Sequence, residues 1–375
     1  MKKYNTAIIG TGFIGVAHIE ALRRLGNVDV VALCDTVNAK KKADENYIEN
    51  SYTDYQTMIN ELDLDFIHIC TPNNTHYKIA KYALESNINV VLEKPMTLDL
   101  EEAKELYSIA ESKKLVCVIN YHNRLYPACA YIKREIEKGR IGEVISINGV
   151  YAQDWLLYDY DYSWRLNRNE SGKTRAVADI GSHWIDLIEY LSGIKVSAVF
   201  ADFKTIHPNR KKPTGESLAF SKEKSSSHEL VEIDTEDMAN ILFRFENGAI
   251  GNLFVTQMSA GIKNRIDVLI SGKEASVEWK LETHEVVKFG YRDKPNEVVQ
   301  KDTLLMSEVS NLICYPSGHT EGFPDAFKNV FKQAYNQPKD KNYATFKDGL
   351  RQMILNERIY ESAQTGSWFD VEKVD

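Results

Sequence analysis

Residues 10–15 read Gly10-Thr11-Gly12-Phe13-Ile14-Gly15, between a short apolar run at 6–9 and an amphipathic stretch at 14–25. Three glycines at this spacing restrict the fold more than any other feature of the chain. They permit a tight turn, close approach of a ligand to the backbone, and close packing of a helix on a strand. The opening of that helix then offers free N–H groups and a partial positive charge to a diphosphate. Asp35 lies twenty residues beyond Gly15, at the end of the next apolar run, 28–33. A carboxylate there hydrogen-bonds the adenosine ribose hydroxyls and repels a 2′-phosphate, so NAD is the predicted cofactor. Capping of the following helix is the competing role for Asp35. Lys40, Lys41 and Lys42 nearby leave NADP open.

Short apolar runs at 6–9, 28–33, 66–70, 90–92 and 115–119 alternate with helix-length amphipathic stretches at 14–25, 75–86 and 100–112. Strands alternating with helices predict βαβ units and a parallel sheet with its ligands along the carboxyl edge. After about residue 125 the pattern changes. A helix is predicted over 128–138 and ends at Gly139, a strand over 144–151, and a polar, aromatic segment over 153–175. A second helix covers 182–191, and strands follow at 196–203, 238–245, 249–257 and 265–271. Consecutive strands of this kind predict a mostly antiparallel open sheet with helices on one side. The polar stretch 207–234 is expected as an exposed loop or hairpin, and late helices cover 324–335 and 346–363. The chain thus divides into an α/β Rossmann domain, 1–124, and an α+β domain, 125–375, for substrate binding and oligomerisation.

Composition narrows the function classes. A net charge of −8 over 375 residues opposes nucleic acid as a partner, and Arg210-Lys211-Lys212 is read as a solvated basic loop. No apolar run reaches the roughly 18 residues a membrane span needs. The opening Met1-Lys2-Lys3-Tyr4-Asn5 shows no signal-peptide pattern, and Cys34, Cys70, Cys117, Cys129 and Cys314 show no C-x-x-C spacing. A reducing cytoplasm is the expected location, without disulfides or zinc.

Two further segments carry chemistry. Glu93-Lys94-Pro95 ends the run at 90–92, and Asp179-Ile180-Gly181-Ser182-His183 sets a carboxylate four residues before an imidazole at a helix entrance. With GTGFIG, Cys70-Thr71-Pro72-Asn73-Asn74-Thr75-His76 and Arg124-Leu125-Tyr126-Pro127, they occur in the order in which the chain resembles the glucose–fructose oxidoreductase/inositol dehydrogenase (Gfo/Idh/MocA) family, over nearly its whole length. The resemblance implies a Rossmann domain followed by an α+β domain, and action on hydroxyls of sugars, inositols and related polyols. It implies Lys94, Asp179 and His183 as the catalytic set and a cis Lys94–Pro95 bond. The expected cofactor contacts are Gly10, Gly12, Phe13, Ile14, Gly15, Asp35, Thr71, Pro72, Asn74, His76, Glu93, Lys94 and Asn120.

These residue types suit alcohol oxidation. A neutral imidazole accepts the hydroxyl proton, an ammonium stabilises developing alkoxide, and a carboxylate orients the imidazole or the substrate. Lys94, Tyr121, His122, Asn123, Trp155, Arg165, Asp179, His183 and His319 are the predicted substrate contacts, with Asp154, Trp164 and Glu321 beside them. Flat aromatic faces and paired donors and acceptors fit a polyhydroxylated ring. The segments YAQDW, WRL and PSGHTEGFPDAF resemble a sugar- or glycoside-oxidising branch of the family, although Gly261-Ile262-Lys263-Asn264 stands where that branch reads GRKN. Asp179, His183 and Asp186 alone do not complete a metal site, so no metal is expected. The expected protein is an NAD-dependent sugar, glycoside or cyclitol dehydrogenase, assembled as a homodimer or homotetramer. The alternatives are an NAD-dependent glycosidase working through transient oxidation and a non-catalytic dinucleotide sensor.

Overall fold

The computed structural model describes residues 2–214, 228–338 and 341–374, which cluster into two units. The first comprises the described residues of 2–126 and 319–353 together with 374. Its strands and helices alternate as β1 (Tyr4–Ile9), α1 (Phe13–Arg23), β2 (Val28–Cys34), α2 (Ala39–Glu45), β3 (Asn50–Tyr52), α3 (Tyr55–Glu61), β4 (Phe66–Ile69), α4 (Asn73–Glu85), β5 (Asn89–Leu92), α5 (Leu100–Lys113) and β6 (Cys117–Ile119). These strands are parallel in the order β3-β2-β1-β4-β5-β6, and Ala344–Thr345 is added antiparallel to β6. Every residue of β4 is buried, as helices on both faces of a parallel sheet require. The order reverses between β1 and β4. That switch point is where open α/β sheets bind ligands, at the carboxyl ends of the strands.

The strands and helices expected in this region are all present. The additional β3, α2 and α3 are short and polar; α2 buries only Ala39 and Ala43, too few apolar positions to declare a helix by periodicity. A division at 124/125 also omits residues 319–353, which pack with the first unit. The helix Phe323–Asn336 turns Phe327 and Phe331 onto His18 of α1, with ring centroids 5.5 and 4.7 Å apart, and Asp325 pairs with Arg24 at 2.5 Å.

The second unit comprises the described residues of 127–318 and 354–373. Its nine-stranded sheet runs Glu297–Gln300, Val286–Gly290, Ser276–Lys280, Arg265–Gly272, Val144–Ala152, Ile250–Thr256, Met238–Phe245, Val196–Lys204, Phe369–Asp370. All neighbours are antiparallel except Val144–Ala152 with Ile250–Thr256. Four strands of this sheet after 275 escaped the sequence reading: Ser276–Lys280, Val286–Gly290 and Glu297–Gln300 break their short apolar pattern with charged residues, and Phe369–Asp370 has two residues. The helix Ser182–Ser192 is buried along its whole length. Trp184 donates its indole N–H to the Asp267 carbonyl at 2.8 Å, and a Cβ on Gly149 would lie 2.4 Å from that indole nitrogen. The missing side chain at Gly149 therefore sets how closely this helix approaches the sheet.

Asn209–Pro213 and His228–Glu232 pair antiparallel, and residues 215–227 of the expected excursion lie outside the described residues. The solvated reading of Arg210-Lys211-Lys212 fails for its first member. Arg210 is fully buried, with Nη2 2.7 Å from Asp237 and Nη1 donating to the Tyr158 carbonyl at 2.8 Å, while the half-buried Lys211 and Lys212 pair with Asp159 and Glu229.

Candidate active site

The first unit brings most of the sequence-predicted cofactor residues to one sheet edge. Gly10 has φ +91°, and a Cβ on it would lie 2.6 Å from the Cys70 carbonyl group; one on Gly15 would lie 2.0 Å from the Gly10 oxygen. Around Gly12 nothing lies within 4 Å of that position, so the loop is open where a diphosphate would approach. Helix α1 has no side-chain cap and no acidic residue in its first turn, which leaves its N–H groups for an anion. Phe13 is exposed and stacks on Phe323 at 6.3 Å, while Ile14 is half-buried. Gly15→Ala forces backbone apart and is expected to cost about 1–3 kcal/mol, as overpacking does. Thermal unfolding with and without NAD measures it; unchanged stability and NAD affinity would remove the close-packing role.

Asp35 serves the loop and the next helix together. Oδ2 accepts from the Thr11 amide and hydroxyl, both at 2.8 Å, and Oδ1 accepts from the Val37 and Asn38 amides at 3.0 and 3.1 Å. Burial pushes its pKa up, but these backbone donors outweigh that and hold it below the usual aspartate range. The capping-type role is thus present, and the same carboxylate is ionised beside the glycine loop.

After β4, Thr71 is half-buried and Pro72 and Asn74 are exposed. His76 is fully buried, with Nε2 2.9 Å from the Thr71 carbonyl and Nδ1 2.8 Å from the Pro95 carbonyl. Its ring ties the two loops together instead of facing a ligand, and burial lowers its pKa. After β5, the Lys94–Pro95 bond is cis and Lys94 is half-buried. Glu93 Oε1 accepts from Asn120 Nδ2 at 2.6 Å and lies 3.0 Å from His18 Nε2. Burial pushes Glu93 up, yet the His18 and Asn120 contacts and the charge of Lys94 bring it down to about 2. Asn120 is fully buried, and its Oδ1 has no hydrogen-bond partner among the described residues. An open glycine loop, an uncapped helix and this orphaned acceptor fit a dinucleotide with an amide-bearing ring.

The substrate candidates of this unit are less uniform. Tyr121 and Asn123 are buried, His122 packs on Phe323 and Phe327 at 5.1 and 4.6 Å, and His319 is exposed. Burial lowers His122 to about 4, so it is neutral near pH 7.

The second unit gathers Asp179, His183, Arg165, Trp155 and Trp164. Asp179 sits in a π-helical turn, Val177–Gly181, immediately before Ser182–Ser192, and His183 lies in the first turn of that helix. Such turns insert an extra residue per turn and are frequent at functional sites. Asp179 Oδ1 accepts from Arg165 Nε at 3.2 Å, and Oδ2 accepts from Gln257 Nε2 at 3.0 Å. The Arg165 guanidinium lies 4.6 Å from the Trp164 ring and 5.9 Å from Trp155. His183 is buried, its ring 6.4 Å from Tyr151. Asp154 pairs with Lys263 at 2.6 Å, which gives the departing segment 261–264 a local role.

Sequence reasoning missed Gln257, Arg175 and Glu236. Gln257 Oε1 accepts from Arg175 Nη1 at 3.0 Å, and Glu236 accepts from the Arg175 and Val177 amides just ahead of the π turn. Gln257 and Glu236 are lone polar residues beside strand ends and Arg175 precedes a helical turn, and none of them carries a spacing signal. Among the described residues, no group of three or more His, Cys, Asp or Glu could hold a metal ion, and no helix is long and apolar enough to cross a membrane.

The oxidoreductase family model with an NAD-binding Rossmann fold, GFO_IDH_MocA, matches residues 4–121, and the GFO/IDH/MocA C-terminal domain matches residues 129–278. The chain belongs to the Gfo/Idh/MocA family. As a Gfo/Idh/MocA protein it is an NAD-dependent oxidoreductase whose Rossmann domain is followed by a domain with a large, mostly antiparallel sheet, as its motifs implied. Levoglucosan dehydrogenase of Pseudarthrobacter phenanthrenivorans is 28% identical over 403 residues, covering 100% of both chains. Inositol 2-dehydrogenase/D-chiro-inositol 3-dehydrogenase of Lactiplantibacillus plantarum is 26% identical over 243 residues, 63% of each. A solved levoglucosan dehydrogenase in complex with NADH and L-sorbose has a TM-score of 0.88 at 28% identity, covering 100% of both chains.

Proposed function

We propose that the protein moves a hydride between nicotinamide and a hydroxyl of a sugar, glycoside or cyclitol, with Lys94, Asp179 and His183 as its catalytic residues. The observation that carries this reading is the cluster around Asp179: a carboxylate held by Arg165 and Gln257, beside two indole faces and one helical turn from His183. Paired polar groups next to flat rings match a polyhydroxylated ring. The full-length likeness to a levoglucosan dehydrogenase supports the same substrate class.

The dinucleotide, when bound, takes up or returns the hydride. His183 takes the hydroxyl proton, as an imidazole does near neutrality. Lys94 contributes a positive charge to oxygen as alkoxide character develops. Asp179, restrained on both oxygens, orients the substrate or the imidazole. Assembly as a homodimer or homotetramer belongs to the same reading, supported by the apolar residues Ile145, Leu242, Ile250 and Leu269 exposed on sheet strands of the second unit.

A screen of hexoses, anhydrosugars, inositols and glycosides, with NAD and NADP in parallel, tests the proposal through nicotinamide absorbance. NADH formation with a neutral sugar or cyclitol is the expected result. Glycoside cleavage without accumulated NADH would replace it by the glycosidase reading. NAD binding without turnover of any compound would leave a sensor.

A further inference from the structure

A hydrogen-bonded chain of titratable groups crosses the core of the first unit and ends at Glu93. Thr6 Oγ1 and Tyr335 Oη are 2.7 Å apart, Tyr335 Oη and His68 Nε2 3.0 Å, His68 Nδ1 and His18 Nδ1 2.8 Å, and His18 Nε2 and Glu93 Oε1 3.0 Å. Thr6, His18 and His68 are 0% exposed and Tyr335 1%, and the aromatic rings of Phe327 and Phe331 enclose the histidines. Two imidazoles facing each other through Nδ1 are an uncommon use of core space, because apolar side chains would fill it without polar desolvation.

Valence gives the chain one polarity. An ionised carboxylate only accepts, and a neutral imidazole has one donor and one acceptor. With Glu93 ionised, His18 donates from Nε2 and accepts at Nδ1. His68 then donates from Nδ1 and accepts at Nε2 from the Tyr335 hydroxyl, which in turn accepts from Thr6. All four bonds point toward Glu93. The opposite polarity requires protons on both nitrogens of His18, a cation placed in a pocket with no solvent exposure between the Phe327 and Phe331 rings. Burial holds the His68 pKa well below the usual histidine range, and burial keeps the Tyr335 hydroxyl protonated. The far end is closed, since Thr6 and Tyr335 are buried, so the chain has no outlet for net proton transport.

We propose that His18 and His68 are positioning residues: locked in complementary tautomers, they fix the Glu93 carboxylate and with it the turn that carries Lys94. The inference rests on the role proposed for Lys94 and extends it to the buried His18, His68 and Tyr335 behind Glu93.

Nitrogen-15 labelling of histidine in the full-length chain reads the tautomers directly. His18 is expected with its proton on Nε2 alone and His68 with its proton on Nδ1 alone. A proton on His68 Nε2, or a charged His18, overturns the proposal. In kinetics, His18→Leu removes the donor to Glu93 and is expected to lower kcat about tenfold, the scale of one hydrogen bond to a charged group. His18→Gln, which keeps an N–H near the Nε2 position, is expected to recover most of that loss. Equal kcat in wild type and His18→Leu, with only the melting temperature changed, also overturns it. Should His18→Leu fail to fold, Tyr335→Phe decides: loss of one hydroxyl is expected to let His68 exchange tautomers and to lower kcat, and an unchanged His68 spectrum and kcat refute the lock. Full turnover in Lys94→Ala would sink the role of Lys94 itself, while the tautomers still report on the chain.

Discussion

His183→Ala is expected to lower turnover by roughly 10²–10⁴-fold, the range for removal of a general acid–base group, with little change in NAD affinity. The separation of effects follows from where the groups sit. His183 lies in the first turn of a helix in the second unit, whereas the glycine loop, Asp35 and Asn120 belong to the first. Deleting the imidazole therefore leaves every proposed dinucleotide contact of the first unit in place. Steady-state kcat with the best sugar from the screen, together with a fluorescence titration of NADH, separates the two readouts. Loss of NADH binding with chemistry intact in the residual bound fraction would contradict the role of His183. Asp179→Asn keeps the shape and the Arg165 side of the cluster but removes the charge. Its loss in kcat, with NADH binding retained, would tie the carboxylate to chemistry and not to packing.

The second large effect concerns stability. Asp237 is fully buried and lies within ion-pair distance of two buried arginines through one oxygen: Arg210 at 2.7 Å, and Arg175. Its other oxygen accepts from the Ile206 and His207 amides at 2.6 and 3.1 Å. Asp237→Ala leaves two guanidinium groups without their shared counter-ion and is expected to cost about 3–5 kcal/mol. Replacing Arg175, Asp237 and Arg210 together by apolar residues of similar volume should recover much of this, because no buried guanidinium is then left without its counter-ion. A destabilisation under 1 kcal/mol in the single variant would show that water reaches the arginines. Burial pushes the Asp237 carboxyl up, but the two arginines outweigh it and hold its folded pKa below the unfolded one. Its stabilising contribution is therefore complete above an unfolded pKa of about 3.9 and is lost as pH falls below it. Glu236 has the opposite sign. Burial raises it to about 7, so its contribution to stability is largest below its unfolded pKa and declines as pH rises toward 7. Glu236→Gln is expected to flatten that decline in urea unfolding measured across the same pH range.

The glycine loop, Asp35, Glu93-Lys94-Pro95 and the segment 179–183 were legible because each depends on local geometry. A tight turn, a strand end and a helix entrance leave fixed residue types at fixed spacing. The parallel and antiparallel halves of the chain were legible for a similar reason, since hydrophobic period reports which face of an element is buried. Short elements such as α2 and the strands Ser276–Lys280, Val286–Gly290 and Glu297–Gln300 carry too few apolar positions for that signal.

What the sequence by itself determined is the cofactor class, the family and the order of the βαβ units, all written in neighbouring residues. Only the tertiary structure decided the rest. It turned Arg210 inward to Asp237, set Gln257 against Asp179, buried His76 between two loops, and brought Tyr335 to His68 across 267 positions of chain. Each of these is a pairing of buried polar groups distant in sequence. Their free energy depends on which donor meets which acceptor after water is excluded, and no local pattern records that.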